Sequence, residues 1–290
     1  MIDLHTHSTA SDGTDTPSEL IGNAVSAGLH ALAITDHDTT GGWDEAAAAV
    51  EALRIPFTLI RGAEFSCVHP RSDGRRISLH LLGYLFDPLA EPLRAERASL
   101  RSSRLGRGEA IVTNLAEAGY PITWDRVVEI ADGGSVGRPH IGQALVEADV
   151  VGSVNEAFAD LLSSSSRHYV SKQDMPALEA IALIRQAGGV PVIAHPWARQ
   201  RGRIVDEDML ATLVQAGLLG IEVNHVDHVP DDRIRLSAIA ADLGVFATGS
   251  SDYHGTHKAV RLGANATSEQ VLERLIDLAT GVEPIHSLER

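Results

Sequence analysis

Histidines and carboxylates recur at the ends of short apolar runs in this sequence, and their spacing suits metal chemistry. His5 and His7 close the first run, and Asp12 follows in a Ser-Asp-Gly turn. Thr35-Asp36-His37-Asp38 ends the second run, and Glu64 ends Gly62-Ala63-Glu64. His80 lies in the run at 79–86, His195 in Ala194-His195-Pro196, and Asp252 and His254 in Ser251-Asp252-Tyr253-His254. The i, i+2 pairs His5/His7 and Asp252/His254 each fall on one side of an extended chain. Nine ionisable groups sharing one cavity without partners would each cost several kcal/mol in desolvation, at order of magnitude. Divalent cations remove that cost, and imidazole with carboxylate but no thiolate suits Zn²⁺, Mn²⁺ or Fe²⁺. His80 alone reads equally well as a hydrogen-bonded core histidine.

The elements that must position these groups are short. Strand-like runs fall at Ile2–Thr6, Ala31–Thr35, Phe57–Phe65, Ile77–Phe86, Val190–Ala194, Gly220–Asn224 and Val245–Thr248. Most are continuously apolar, as parallel strands covered on both faces are. Thr16-Pro17-Ser18-Glu19 is a capping box with proline at the first helical position, opening a helix that Gly28 ends. Met175-Pro176 opens another, and 206–217, 231–243 and 268–280 are amphipathic helices. Alternating β and α elements predict right-handed crossovers and a parallel sheet or barrel, whose C-terminal mouth gathers the ionisable groups. The alternation breaks between 91 and 175, where helices are predicted at Glu91–Gly119, Trp124–Ala131, Pro139–Ala148 and Val154–Leu162. A stretch that long is no connector and reads as an inserted helical subdomain. The expected division is therefore a catalytic barrel from 1–90 and 176–290 with a helical cap at 91–175.

Composition narrows the function. Among 290 residues, 24 Lys and Arg against 39 Asp and Glu give a formal charge of −15. That argues against duplex DNA as a partner and against a polybasic membrane anchor. It leaves an anionic substrate open, because bound cations reverse the local sign. Apolar residues at 44% suffice for a packed core. A lone cysteine forbids an intramolecular disulfide and favours a reducing, cytoplasmic setting, and no signal-peptide pattern opens the chain. Histidines number 14, more than the 12 aromatic residues (5 Phe, 4 Tyr, 3 Trp), which strengthens the metal reading.

Taken in order, the HxH of His5 and His7, the SDG at Asp12, the TDHD at 35–38, the GxE at Glu64, His80, the HP at 195–196 and the SDxH at Asp252 and His254 resemble the PHP (polymerase and histidinol phosphatase) phosphoesterases. The resemblance covers the chain outside the insert. It implies a distorted seven-unit β/α (TIM-like) barrel holding two or three divalent ions. It implies that His5, His7, Glu64 and Asp252 hold one ion, and that Glu64 bridges to a second held by His80 and His195. Asp12, His37 and His254 would hold the third, with Asp12 standing where some members carry histidine. The implied chemistry is attack on a phosphate ester by metal-activated hydroxide, with Glu64 catalytic as the bridge.

Several residues lie outside this set. Gly137-Arg138-Pro139-His140 opens a helix in the insert and is similar to the Arg/His motif of the nucleotide-directed branch of the family, which implies Arg138 and His140 as substrate contacts; a bland helix start with proline at N1 is the alternative. Arg199 is a further candidate phosphate contact, and His225 or His228 a candidate proton donor to the leaving oxygen. Arg94, Arg97, Arg101 and Arg104 share a helix face, better read as a solvated face paired with Glu91 and Glu96. Cys67 reads as core, and Asp38 as an orienter of His37 or a substrate ligand. The function expected is hydrolysis of small phosphorylated metabolites, most readily nucleotides: a 3′,5′-nucleoside bisphosphate phosphatase or an enzyme trimming short oligonucleotides from the 5′ end. Rivals are a histidinol-phosphate-type phosphatase, an amidohydrolase (which opens with HxH but wants a central lysine), and a non-catalytic metal-stabilised PHP module.

Overall fold

The structure is a computed structural model that describes residues 1–71, 74–171, 173–199 and 204–287. Seven strands form the main sheet: β1 (Ile2–Thr6), β2 (Ala31–Ile34), β3 (Thr58–Pro70), β4 (Arg76–Tyr84), β6 (Val190–Ala194), β7 (Gly220–Asn224) and β8 (Phe246–Gly249), adjacent in that order. Two-residue strands β5 (Met175–Pro176) and β9 (Ile285–His286) both pair with β3. β8 and β1 meet through a bridge between Thr6 and Tyr253, where the His7 amide donates to the Tyr253 carbonyl at 2.9 Å, so the barrel-shaped sheet nearly closes.

The helices arise where capping and amphipathicity agree. In α1 (Pro17–Ser26) the Thr16 side chain accepts from the Glu19 amide at 3.2 Å, and Glu19 accepts in return from the Thr16 amide at 2.9 Å. This is the predicted box. α2 (Trp43–Glu51) follows β2. After residue 176 come α7 (Ala177–Gln186), α8 (Glu207–Gln215), α9 (Pro230–Asp242) and α10 (Glu269–Leu278). Leu20, Trp43, Ile181, Ile184, Leu210 and Leu236 of these helices pack on Leu32, Phe65, Ile193 and Ile221 of the sheet, and Cys67 lies in the same cluster. Leu272 and Leu275 of α10 close over Ile2 and Leu4.

Two expectations about the sheet are corrected. β4 runs antiparallel to both its neighbours, β3 and β6, within an otherwise parallel main sheet. Only residues 71–75 separate β3 from β4, and a parallel return needs a crossover of a dozen or more residues. Met175-Pro176 is a strand pair on Cys67 and Val68, and its helix begins at Ala177.

Between β4 and β5 lie α3 (Glu91–Glu117), α4 (Trp124–Ala131), α5 (Arg138–Glu147) and α6 (Val154–Ala159). Ile111, Leu115, Val127, Ile141, Leu145 and Leu162 form a core of their own. The front of α3 belongs elsewhere, because Leu93 and Leu100 pack into the sheet's cluster. This helical layer rests on the loop after β1. The Ser135 amide donates to the Ala10 carbonyl at 2.9 Å, and a Cβ on Gly134 would stand 2.2 Å from the Thr9 carbonyl oxygen, so only glycine permits the approach. No helix among the described residues is long and apolar enough to cross a membrane.

Candidate metal centre

On β1, Ile2 and Leu4 turn to the apolar cluster while alternation sends Asp3, His5 and His7 to the opposite face. Asp3 accepts from the Ser251 amide at 3.0 Å and the Gly263 amide at 2.8 Å, which draws the loop carrying Asp252 and His254 against β1. Asp36 accepts from the Ser8 amide (2.8 Å), the Ser8 hydroxyl (2.7 Å) and the Ser11 hydroxyl (2.6 Å), and so pins the turn that presents Asp12. Glu64 and His80 are not at strand ends. They lie within the long β3–β4 ladder, where His80 pairs with Ser66 on one side and Ala194 on the other.

Glu64 is the centre of the cluster. Its Oε2 lies 3.4 Å from His5 Nε2, 3.3 Å from His7 Nε2 and 3.0 Å from His37 Nδ1. Its Oε1 lies 2.5 Å from His80 Nδ1 and 3.1 Å from His195 Nε2. His5 Nε2 and His7 Nε2 are 3.1 Å apart, and Asp252 Oδ1 is 3.5 Å from each. Asp12 gathers a further group, with Oδ1 3.7 Å from His7 Nδ1 and 3.5 Å from His254 Nε2, and Oδ2 3.7 Å from His37 Nε2. Two donor atoms held about 2.1 Å from one ion at about 90–110° are about 3.0–3.4 Å apart. The spacing fits divalent cations. His37 Nδ1 supports the fit: it is buried and finds no hydrogen-bond partner despite its closeness to Glu64.

Hydrogen-bond partners fix the tautomers and sort the histidines. His5 Nδ1 faces Glu222 Oε1 at 3.0 Å, and His254 Nδ1 donates to the Asp252 carbonyl at 2.9 Å. Each neutral ring therefore turns its Nε2 lone pair into the cluster, the arrangement that metal ligands adopt. His140 and His225 are reversed. His140 Nδ1 accepts from the Gly137 amide at 3.0 Å and His225 Nδ1 from the Asp227 amide at 3.1 Å, so each carries its proton on Nε2. His225 Nε2 lies 3.4 Å from Asp252 Oδ2.

Charge in the metal-free cluster is displaced from ordinary values. Burial opposes charge on His7, but the Asp252 and Glu64 carboxylates outweigh it and lift the ring to about 9. Burial would raise Glu64, but His80, His37 and His5 hold it well below the usual carboxylate range. Burial, with His7 and Lys258 nearby, pushes His254 well down and favours the neutral ring. Backbone strain gathers here too: Asp38 (φ 56°), His195 (φ 28°) and Asp252 (φ 54°) occupy a region that costs non-glycine residues on the order of 1–3 kcal/mol each.

The remaining predicted residues divide. His140 is buried close to Asp12, which acts on its charge, and a Cβ on Gly137 would lie 3.7 Å from Asp12 Oδ2, so the start of α5 meets the cluster. Arg138 donates to the Leu162 carbonyl at 2.8 Å and lies over the Phe158 ring at 5.0 Å, contacts made within the helical layer. The Arg199 side chain is 50% exposed and forms a two-pronged ion pair with Asp232 at 2.8 and 2.7 Å. His228, the other candidate proton donor, bonds to the main chain with both nitrogens. Its Nδ1 donates to the Val223 carbonyl at 2.8 Å and its Nε2 accepts from the Trp197 amide at 3.2 Å, leaving no nitrogen for a substrate. The arginine row splits, for Arg94 pairs with Glu91 in solvent while Arg104 turns inward to Asp38.

Two residues escaped the sequence reading. Glu222, fully buried in β7, holds His5 through Oε1 and accepts from the His195 amide at 2.6 Å through Oε2. A carboxylate inside the apolar run Gly220–Asn224 was the available signal. Lys258 donates to Asp252 Oδ2 at 2.6 Å from a loop with no distinguishing pattern.

Comparison with known proteins agrees with this geometry. The sequence pattern of the PHP domain matches residues 3–190. A 3′,5′-nucleoside bisphosphate phosphatase of Chromobacterium violaceum is 36% identical over 254 residues, covering 87% of each chain. The 5′-3′ exoribonuclease Rnm of Salmonella typhimurium is 30% identical over 261 residues, 90% of this chain and 87% of that one. Among solved structures, a protein of Bifidobacterium adolescentis assigned as a metal-dependent phosphoesterase superposes with a TM-score of 0.91 at 38% identity, covering 96% of both chains.

Proposed function

The chain belongs to the PHP domain family, and we propose that within it this protein hydrolyses phosphate monoesters of nucleotides, as a 3′,5′-nucleoside bisphosphate phosphatase or by trimming short oligonucleotides from the 5′ end. That it is a metal-dependent phosphoesterase follows from the family and from relatives that cover most of the chain. The nucleotide reading rests on the names of those relatives. The observation that carries hydrolysis assisted by more than one cation is Glu64, whose two oxygens face separate histidine groups, His5, His7 and His37 on one side and His80 and His195 on the other.

In this reading His5, His7, Glu64 and Asp252 would hold one ion, Glu64, His80 and His195 a second, and Asp12, His37 and His254 a third. Bound together, such ions bring the pKa of water toward neutrality and offset the charge of phosphate oxygens. Mn²⁺, Zn²⁺ and Fe²⁺ suit the donors equally. Glu222 and the Asp252 carbonyl fix the ligand tautomers of His5 and His254. His225 holds Asp252 in place from the far side. His140 offers an Nε2 proton beside Asp12, where a phosphate oxygen can accept it. The structural frame proposed is a seven-unit TIM-like barrel, with the helical layer of 91–175 as its cap.

The test is phosphate release by the Mn²⁺-loaded protein from a panel. Adenosine 3′,5′-bisphosphate should yield AMP, and a 5′-phosphorylated short RNA should shorten from its 5′ end if the trimming branch holds. Turnover confined to histidinol phosphate would replace the nucleotide reading, and an inert, fully metallated protein would restore the non-catalytic module.

A further inference from the structure

Four arginines repeat along the first half of α3, and only one enters the site. Arg94 is exposed and paired with Glu91. Arg97 donates to the Thr40 hydroxyl and the Pro88 carbonyl and lies over Phe86. Arg101 is exposed. Arg104 reaches across to the sheet with its side chain only 12% exposed.

Arg104 is held from one edge. Its Nε and Nη2 both point to Asp38 Oδ2, at 3.2 and 2.5 Å, and Nη2 also donates to Ser66 Oγ at 2.8 Å. The holder is stiff, because Asp38 is fully buried and accepts from the Ser66 amide at 2.8 Å. Asp38 follows His37 in the chain, and Ser66 stands two residues beyond Glu64 on β3. The guanidinium thus stands beside the cation cluster, and the field of Arg104 is felt at Asp12 and at His140. Its Nη1 makes no hydrogen bond among the described residues and is not sealed from solvent. A guanidinium gripped at one edge with its other donors free is a ready phosphate receptor.

We propose that Arg104 is a specificity-determining residue whose Nη1 binds a second phosphate of the substrate, the one not being hydrolysed. This rests on the nucleotide reading above, and the test separates the two. Arg104→Lys retains a charge for Asp38 but gives up the second donor edge; Arg104→Gln removes the charge. For parent and both variants, kcat/KM is measured on adenosine 3′,5′-bisphosphate and on p-nitrophenyl phosphate, with the Kd of the bisphosphate and the Tm.

The expected result is a fall of about tenfold or more in the preference for the bisphosphate in both variants, carried by KM and mirrored in Kd. Tm should move least in Arg104→Lys. Equal losses on both substrates would reduce Arg104 to an anchor of α3 and overturn the proposal. A parent that prefers the bisphosphate, with variants that keep the preference, overturns the Arg104 assignment alone. A parent without the preference overturns the assignment and the bisphosphate reading together.

Discussion

Glu64 faces five histidines with two oxygens, so its charge is shared between two sides of the cluster. Glu64→Gln keeps the volume and removes that charge. Activity should fall at least about a hundredfold with the fold retained, and elemental analysis should show less bound metal. Near-normal turnover with full metal content would show that Glu64 is no bridge. The histidines illustrate what residue type leaves open. His5, His225 and His228 are all buried close together, yet one presents a lone pair to the cluster, one presents a proton to Asp252, and one spends both nitrogens on the main chain. Each role is set by the neighbour of the other nitrogen, and those neighbours come from 217 residues away in the case of Glu222 and His5.

At the scale of elements, the 8–13 turn, the start of α5 and the loop at 133–137 form one contact zone around Asp12. Two glycines make it possible: a Cβ on Gly13 would lie 2.3 Å from the His7 carbonyl oxygen, and one on Gly134 2.2 Å from that of Thr9. Gly134→Ala must displace backbone, at a cost on the order of 1–3 kcal/mol. It should lower Tm and activity together, because the strain reaches the turn that carries Asp12. Gly106, exposed in α3 with open space around it, is the control. Gly106→Ala should raise Tm slightly through helix propensity and leave activity alone. Thermal melts and kcat/KM of the two variants decide it, and a harmless Gly134→Ala would show that the helical layer does not position Asp12. The antiparallel β4 belongs to this scale as well. Its apolar run was visible in the sequence, and its direction followed from the short 71–75 connection.

For the whole molecule, acidity and metal binding are linked. The chain carries a formal charge of −15, and its cavity gathers Asp12, Glu64 and Asp252 with no described disulfide to stiffen the fold. Metal should therefore contribute to stability directly. At about 100-fold excess over Kd the gain is about 2.7 kcal/mol, or on the order of 5 °C in Tm. Its pH dependence has a definite sign. In the metal-free protein His7 titrates at about 9, above the ordinary 6.5. The proton on His7 stabilises the metal-free fold fully below about 6.5, and that contribution is lost as pH rises through about 9. Ligation needs the neutral ring, so metal competes with that proton at low pH and meets no such competition at high pH. The Tm difference between loaded and chelator-treated protein should widen from pH 6.5 to 9. A gap that narrows over this range would show that His7 is not a ligand.

The sequence by itself determined which histidines and carboxylates cluster, their order along the chain, the βα frame around the barrel and the helical character of 91–175, because local periodicity and capping act within a few residues. The family followed from the same motifs. Tertiary structure alone decided which nitrogen each histidine presents, that Glu222 and Lys258 join the site, that Arg199 pairs with Asp232, and that of four arginines repeated along α3 Arg104 turns inward to Asp38. Those outcomes depend on partners brought together from distant strands and on what each buried polar atom must find to offset its lost hydration. No spacing along the chain encodes that, which is why the residues of the cluster were legible and their orienting contacts were not.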